Sequence, residues 1–250
     1  MRPARLIPRT RPAVVLVAHG SRDPRAAVAT EALARAVGRA RPEWLVRASY
    51  LDHDGPRPLD VLAAAPASRA ILVPLLLTKA YHGRVDVPAV VREAAALPIG
   101  VTATEVLGPS SPLLLGALHR RLAEACDIGS LDGVVLASAG TRNEAARATV
   151  ADAAAALGRR LGIPAAVSYA SGPGARSGEA VAALRAAGAE RIGVAGYFLA
   201  PGLLYDAAAG AALEAGAVTV AEPLADAPEL VRLVAARVAS VLPAALAAAA

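Results

Sequence analysis

Two stretches of the chain repeat one another at a fixed distance, and this constrains the fold more than any other feature of the sequence. Val15-Leu16-Val17-Ala18-His19-Gly20-Ser21-Arg22-Asp23 lies against Val135-Leu136-Ala137-Ser138-Ala139-Gly140-Thr141-Arg142-Asn143 at a shift of 120. Ile71-Leu72-Val73-Pro74-Leu75 lies against Ile192-Gly193-Val194-Ala195-Gly196 at a shift of 121, and Thr104-Glu105-Val106-Leu107 finds a counterpart near Ala221-Glu222-Pro223-Leu224. A period of this length is too long for a solenoid repeat and matches a whole domain of about 100 to 150 residues. The 250 residues are therefore read as a duplicated domain, residues 1–128 and 129–250, joined near Asp127-Ile128-Gly129-Ser130.

Within each repeat, short runs of Val, Leu and Ile alternate with longer Ala-, Leu- and Arg-rich segments of helical period. That alternation is the pattern of βα units around parallel sheets, whose strands are buried on both faces. Strands are expected near Val14–Ala18, Leu45–Leu51, Ile71–Leu77 and Val101–Val106, then near Val134–Ser138, Ala165–Ala170, Arg191–Phe198 and Ala217–Val220. The expected fold class is α/β, two duplicated lobes each with a four-stranded parallel sheet flanked by helices.

Composition removes several function classes. Hydrophobic residues make up 56% of the chain and charged residues 19%, too apolar for general disorder. The single cysteine, Cys126, excludes an intramolecular disulfide framework, a thiolate zinc cage and a cysteine-held iron–sulfur cluster. Apolar runs such as Ile71–Leu77 and Ser240–Ala250 are shorter than a membrane span or broken by proline. The basic stretch Arg2–Arg11 is followed by an apolar run too short for a signal peptide, so a cytoplasmic protein with no membrane partner is expected. The net charge of +5 comes almost wholly from scattered arginines, Lys79 being the sole lysine, and aromatic content is 3%. Stacking platforms for nucleic acid are not expected, whereas a small polyanionic substrate fits.

In open α/β sheets ligands bind beyond the carboxyl ends of the strands. The polar residues standing there are His19, Gly20, Ser21, Arg22 and Asp23 after the first strand, Asp52, His53 and Asp54 after the second, and Thr78, Lys79, Tyr81, His82, Arg84 and Asp86 after the third. Three of the chain's four histidines fall at these ends. The second repeat keeps the scaffold but puts Ala139 where His19 stands, and it replaces the His82 region by Ala200-Pro201-Gly202-Leu203-Leu204-Tyr205. A requirement of the fold would act on both copies, whereas a site need survive in one, so His19 and His82 are assigned to function. Two neutral imidazoles suit Fe, Co, Ni or Zn and leave coordination positions open, as a delivery site requires.

Val17-Ala18-His19-Gly20-Ser21-Arg22-Asp23-Pro24, together with the run Val73-Pro74-Leu75-Leu76-Leu77-Thr78-Lys79-Ala80-Tyr81-His82-Gly83-Arg84-Val85-Asp86-Val87-Pro88, resembles the sirohydrochlorin chelatase family, the ATP-independent cobalto- and ferrochelatases of cobalamin and siroheme synthesis. The second half resembles the degenerate repeat of two-domain members. The resemblance implies two α/β lobes with a tetrapyrrole cleft between them. It further implies that His19 and His82 bind the incoming divalent metal and help remove pyrrole protons. Asp52 takes the place of the family's acidic residue after strand two, one methylene shorter than a glutamate. The histidine-rich tail and cysteine cluster of some long members are absent. The implied substrates are sirohydrochlorin and Fe2+ or Co2+, with Ni2+ a further candidate, and no permanently bound cofactor. Metal insertion removes two N–H protons, which imidazole accepts near neutral pH. Arg22, Lys79 and Arg84, with Tyr81 beside them, would draw in and orient the polycarboxylate, and backbone N–H groups at Gly20 and Ser21 could hold one carboxylate.

Other readings compete at several positions. His53, flanked by two carboxylates in a Gly-Pro loop, is expected in a solvated turn, and His119 beside Arg120 and Arg121 on the surface. Asp86 is a candidate helix cap before Val87-Pro88. Ser21 lacks the Gly-x-Ser-x-Gly elbow of a nucleophile, and a histidine phosphatase would need arginine where Ala18 stands. A tetrapyrrole or metal carrier without turnover is the alternative function. A monomer is expected, since the duplicated chain supplies both lobes itself.

Overall fold

The computed structural model of the chain describes residues 11–78, 86–109 and 111–242. The first repeat runs β1 Ala13–Ala18, α1 Pro24–Ala40, β2 Leu45–Tyr50, α2 Pro58–Ala64, β3 Arg69–Pro74, α3 Asp86–Glu93, β4 Gly100–Ala103 and α4 Pro112–Ala125. The second runs β5 Gly133–Ser138, α5 Glu144–Leu161, β6 Ala165–Tyr169, α6 Ser177–Ala186, β7 Ile192–Tyr197, α7 Leu203–Glu214, β8 Thr219–Val220 and α8 Pro228–Ala239. The strands form two four-stranded sheets of order β2-β1-β3-β4 and β6-β5-β7-β8, every pairing parallel.

All eight expected strands are present, and the differences lie at their ends. β3 stops at Pro74 instead of reaching Leu77, because the N–H of Leu76 turns back to the carbonyl of Pro74. Pro74, which has no N–H to donate, occupies the last position of the strand, past the end of the β4 ladder. β8 shrinks to two residues at the sheet edge.

Alternation along the central strands divides the core. Val14 and Leu16 of β1, like Val134 and Leu136 of β5, face one large cluster shared by both lobes. Val15 and Val17 face a smaller cluster with Leu62, Leu72 and Ile99, and Val135 and Ala137 face another with Val181, Leu184 and Val194. Both faces of each sheet are therefore covered, which accounts for the unbroken apolar text of the strands.

The shared cluster arises from an exchange of helices. α4 follows β4 in the first repeat, yet it packs on β7 and α5 of the second; α8 follows β8, yet it packs on β3 and α1 of the first. Leu230, Leu233, Val234 and Val238 of α8 thus join Val14, Leu33 and Val37, while Leu114, Leu118 and Leu122 of α4 belong to the same cluster as Leu136 and Val150. The two exchanged helices also touch each other. There Arg120 clamps the buried Glu229 with two hydrogen bonds of 2.8 and 2.7 Å, and Arg232 adds a third at 3.1 Å. These pairs hold the Glu229 carboxyl down to about 2, the Arg120 hydrogen bonds outweighing the cost of burial.

Candidate functional site

The carboxyl end of β1 and the loop after β2 run side by side. Leu51 N–H donates to the carbonyl of Ala18 and Asp52 N–H to that of His19, at 3.0 and 2.8 Å. Gly20 lies between them at φ +95°, and a Cβ there would stand 1.7 Å from the Asp52 carbonyl oxygen, so only glycine fits. Asp23 then caps α1 by accepting from Arg25 N–H, with Pro24 in the first turn. Backbone hydrogen bonding, more than side-chain packing, thus fixes where His19 emerges.

Around His19 the structure gathers the residues of the second loop. The rings of His19 and His53 lie edge to face, 6.2 Å between centroids. His53 Nε2 is 3.7 Å from Asp52 Oδ2, and the His53 N–H donates to Asp52 Oδ1 at 2.8 Å. That backbone bond, followed by the charges of His53, Arg57 and His19, holds the Asp52 carboxyl below the usual carboxylate range. His53 sits at φ +62°, in the left-handed region. The turn expected around His53 is present, but its ring stands beside His19, a proximity that the reading as a solvated turn missed.

Ser21 departs from expectation. Its N–H, assigned above to a substrate carboxylate, donates to Asp54 Oδ2 at 3.0 Å, and its hydroxyl accepts from Asp23 N–H at 3.1 Å. Arg22 is exposed beside this turn. Lys79, Tyr81, His82 and Arg84 lie outside the described residues, and Asp86 stands in the first turn of α3. His119, expected on the surface, is half-buried on α4; burial, with Arg160 nearby, pushes its imidazole pKa down. Among the described residues no three His, Cys, Asp or Glu side chains are grouped to hold a metal ion.

The second repeat reproduces the backbone bonds that fix the end of its first strand. Ala170 and Ser171 N–H groups donate to the carbonyls of Ser138 and Ala139, and Gly140 at φ +93° would put a Cβ 2.0 Å from the Ser171 oxygen. Tyr169 makes the hydrogen bond to its helix that Tyr50 makes in the first copy, and Arg176, like Arg57, donates to a carbonyl at the end of the neighbouring strand, one residue earlier than in the first copy. The side chains differ: Ala139, Ser171 and Gly172 stand where His19, Asp52 and His53 stand.

The carboxyl ends of β3, β5 and β7 face a common cavity of about 200 Å3, lined by Leu75, Leu77, Thr78, Ser138, Thr141 and Tyr197 among others, with His19 and Asp52 outside its lining. Tyr197, which no motif singles out, reaches across the lobes: its hydroxyl donates to the Pro109 carbonyl at 2.8 Å and lies 3.2 Å from that of Leu77. Arg25 makes a second link, pairing with Asp23 and with Asp206 of α7 at 2.5 Å each. Among the described residues no helix is long and apolar enough to cross a membrane.

Solved structures of the same fold include SirB from Bacillus subtilis with Fe3+, 20% identical over 92% of this chain and 95% of that one, at a TM-score of 0.71. The sirohydrochlorin chelatase SirB from Bacillus subtilis subspecies spizizenii, in complex with cobalt, is 19% identical over 92% and 94% of the two chains, also at 0.71. CbiX, described as the terminal enzyme for biosynthesis of siroheme in denitrifying bacteria, is 19% identical over 93% and 100%, at 0.67. A comparison with curated sequences gave no match. The CbiX family model matches the sequence twice, over residues 13–125 and again over 133–241, so each repeat carries the family pattern. Together with two sheets of identical strand order, that double match shows that the chain belongs to the CbiX family.

Proposed function

We propose that the protein is a sirohydrochlorin chelatase that inserts Fe2+ or Co2+ into its tetrapyrrole substrate. One observation carries the reading: two copies of one backbone turn, of which the first bears His19 and Asp52 and the second bears Ala139 and Ser171. The names of the similar structures, chelatases solved with iron and with cobalt, point the same way. In this reading residues 1–128 carry the metal site and residues 129–250 supply the opposite wall of the cleft.

Insertion replaces two pyrrole N–H protons by one divalent ion, so the site must hold the ion and take up two protons. His19 and His82 do both in turn, as metal ligands and then as proton acceptors. Asp52, kept ionised by the His53 N–H and its cationic neighbours, offsets the charge of the ion. Arg22, Lys79, Tyr81 and Arg84, with the Gly20 N–H, orient the carboxylates of the macrocycle. Ser21 contributes by anchoring Asp54.

The test is an anaerobic absorbance time course with sirohydrochlorin and Fe2+, Co2+ or Ni2+, each against a control without protein. Acceleration is expected, and His19→Ala and His82→Ala should each abolish it while circular dichroism stays unchanged. Full activity in both variants would overturn the assignment. A spectral shift on mixing with no acceleration by any metal would make the protein a carrier.

A further inference from the structure

The repeat comparison extends to the position after Asp52. In the second repeat that position is Gly172, at φ +72°, a conformation that glycine adopts freely. In the first repeat it is His53, at φ +62°, where an L side chain is disfavoured. The two backbone bonds that precede this position recur in both copies, so the fold demands the left-handed turn but not the histidine. A bulky imidazole at a left-handed position where the sister repeat uses glycine requires a reason outside the fold.

The geometry supplies one. A metal–imidazole bond of about 2.1 Å places a ring centroid roughly 3.2 Å from the ion, so two rings on one ion have centroids about 5 Å apart at a tetrahedral angle and at most about 6.4 Å apart when they stand in line across it. The His19 and His53 rings, at 6.2 Å and 83° between planes, stand about 1 Å wider than the tetrahedral spacing, a gap that rotation of these two exposed side chains closes. The left-handed turn of His53, closed by its N–H on Asp52 Oδ1, is what brings the ring there. The His53 side chain is one-third exposed and Asp52 more than half, so an ion arriving from solvent reaches them directly.

We propose that His53 is a metal ligand that, with His19, captures the divalent ion at the mouth of the site before it is passed to the macrocycle. The inference rests on the chelatase reading for its purpose. Two imidazoles, with water in the remaining positions, make a labile site, suited to handing an ion on.

The test uses Co2+ alone as the probe, titrated anaerobically into the full chain and followed by its visible absorption. His53→Asn keeps a residue that tolerates the left-handed turn, and His53→Gly matches the sister repeat; neither offers an imidazole. Both variants should lose Co2+ affinity by about tenfold or more, equivalent to about 1.4 kcal/mol, whereas His119→Asn should bind as the wild type does. In the insertion assay the KM for Co2+ should rise in step. Unchanged Co2+ affinity in both His53 variants, with wild-type insertion intact, would overturn the role of His53 and leave the chelatase reading standing. Loss of affinity in a protein that inserts no metal would sustain the site and remove the chelatase. Failure of the wild type to bind Co2+ would also overturn the proposal.

Discussion

Glu229→Gln tests the junction between the exchanged helices without altering volume. The carboxylate is 8% exposed and accepts three guanidinium hydrogen bonds, and its pKa falls from an ordinary 4.5 to about 2. Full conversion of that shift gives about 3 kcal/mol, because each pKa unit corresponds to roughly 1.4 kcal/mol. Arg120 and Arg232 are 43% and 61% exposed, however, so water screens both partners and about half of that figure is expected, ~1.5 kcal/mol. For a chain of this size the loss corresponds to a fall in Tm of about 3–6 °C. The pH dependence has a definite sign. The folded-state pKa is depressed, so the contribution is fully present above about pH 4.5 and is lost as pH falls through about 2. Urea denaturation of wild type and variant at a series of pH values should therefore show a constant gap from pH 7 to 5. The gap should narrow only in acid. No gap at pH 7, or one that closes between pH 7 and 5, would refute the reasoning.

Gly140→Ala places a methyl 2.0 Å from the Ser171 carbonyl in a left-handed turn and should cost at least about 3 kcal/mol, read as a fall in Tm, although its repeat has no imidazole to disturb. A wild-type Tm would show that the turn relaxes. Tyr197→Phe removes the hydroxyl that reaches Pro109 and Leu77 and should lower stability by about 1–2 kcal/mol in urea. Burial pushes the Tyr197 phenol up, so that deficit should be flat from pH 6 to 9.

Much of the architecture was readable in the sequence because duplication prints each strand twice. The anchors at Val15 and Val135, and at Ile71 and Ile192, fall in the central strands of the two sheets. Local text could not reveal the helix exchange. α4 and α8 each present an apolar stripe, and a stripe looks the same whichever sheet it covers. In the site, the grouping of Asp52 with His19 followed from the rule about strand ends. His53 is exposed in a turn, as expected, but its nearness to His19 is not legible in sequence, because its neighbours, Asp52, Asp54, Gly55 and Pro56, are turn residues and a turn in sequence carries no direction. The signal for the shape of that turn is Gly172, the glycine of the sister loop, which marks the left-handed position. Ser21 was misassigned because nothing in the sequence shows that its N–H is already taken by Asp54.

The crossing of α4 and α8 has a consequence for how such a chain can arise and persist. A polypeptide carrying one repeat would leave one face of its sheet covered by a single helix of its own unless a second molecule lent another, so its stability would depend on concentration and would fall on dilution. Joining two repeats in one chain makes that encounter intramolecular, with an effective concentration set by the short connection through Asp127–Ser130. Once the partner is always present, the copies no longer need to be alike. One can keep the imidazoles while the other drifts to alanine and glycine, provided that both still lend their helices.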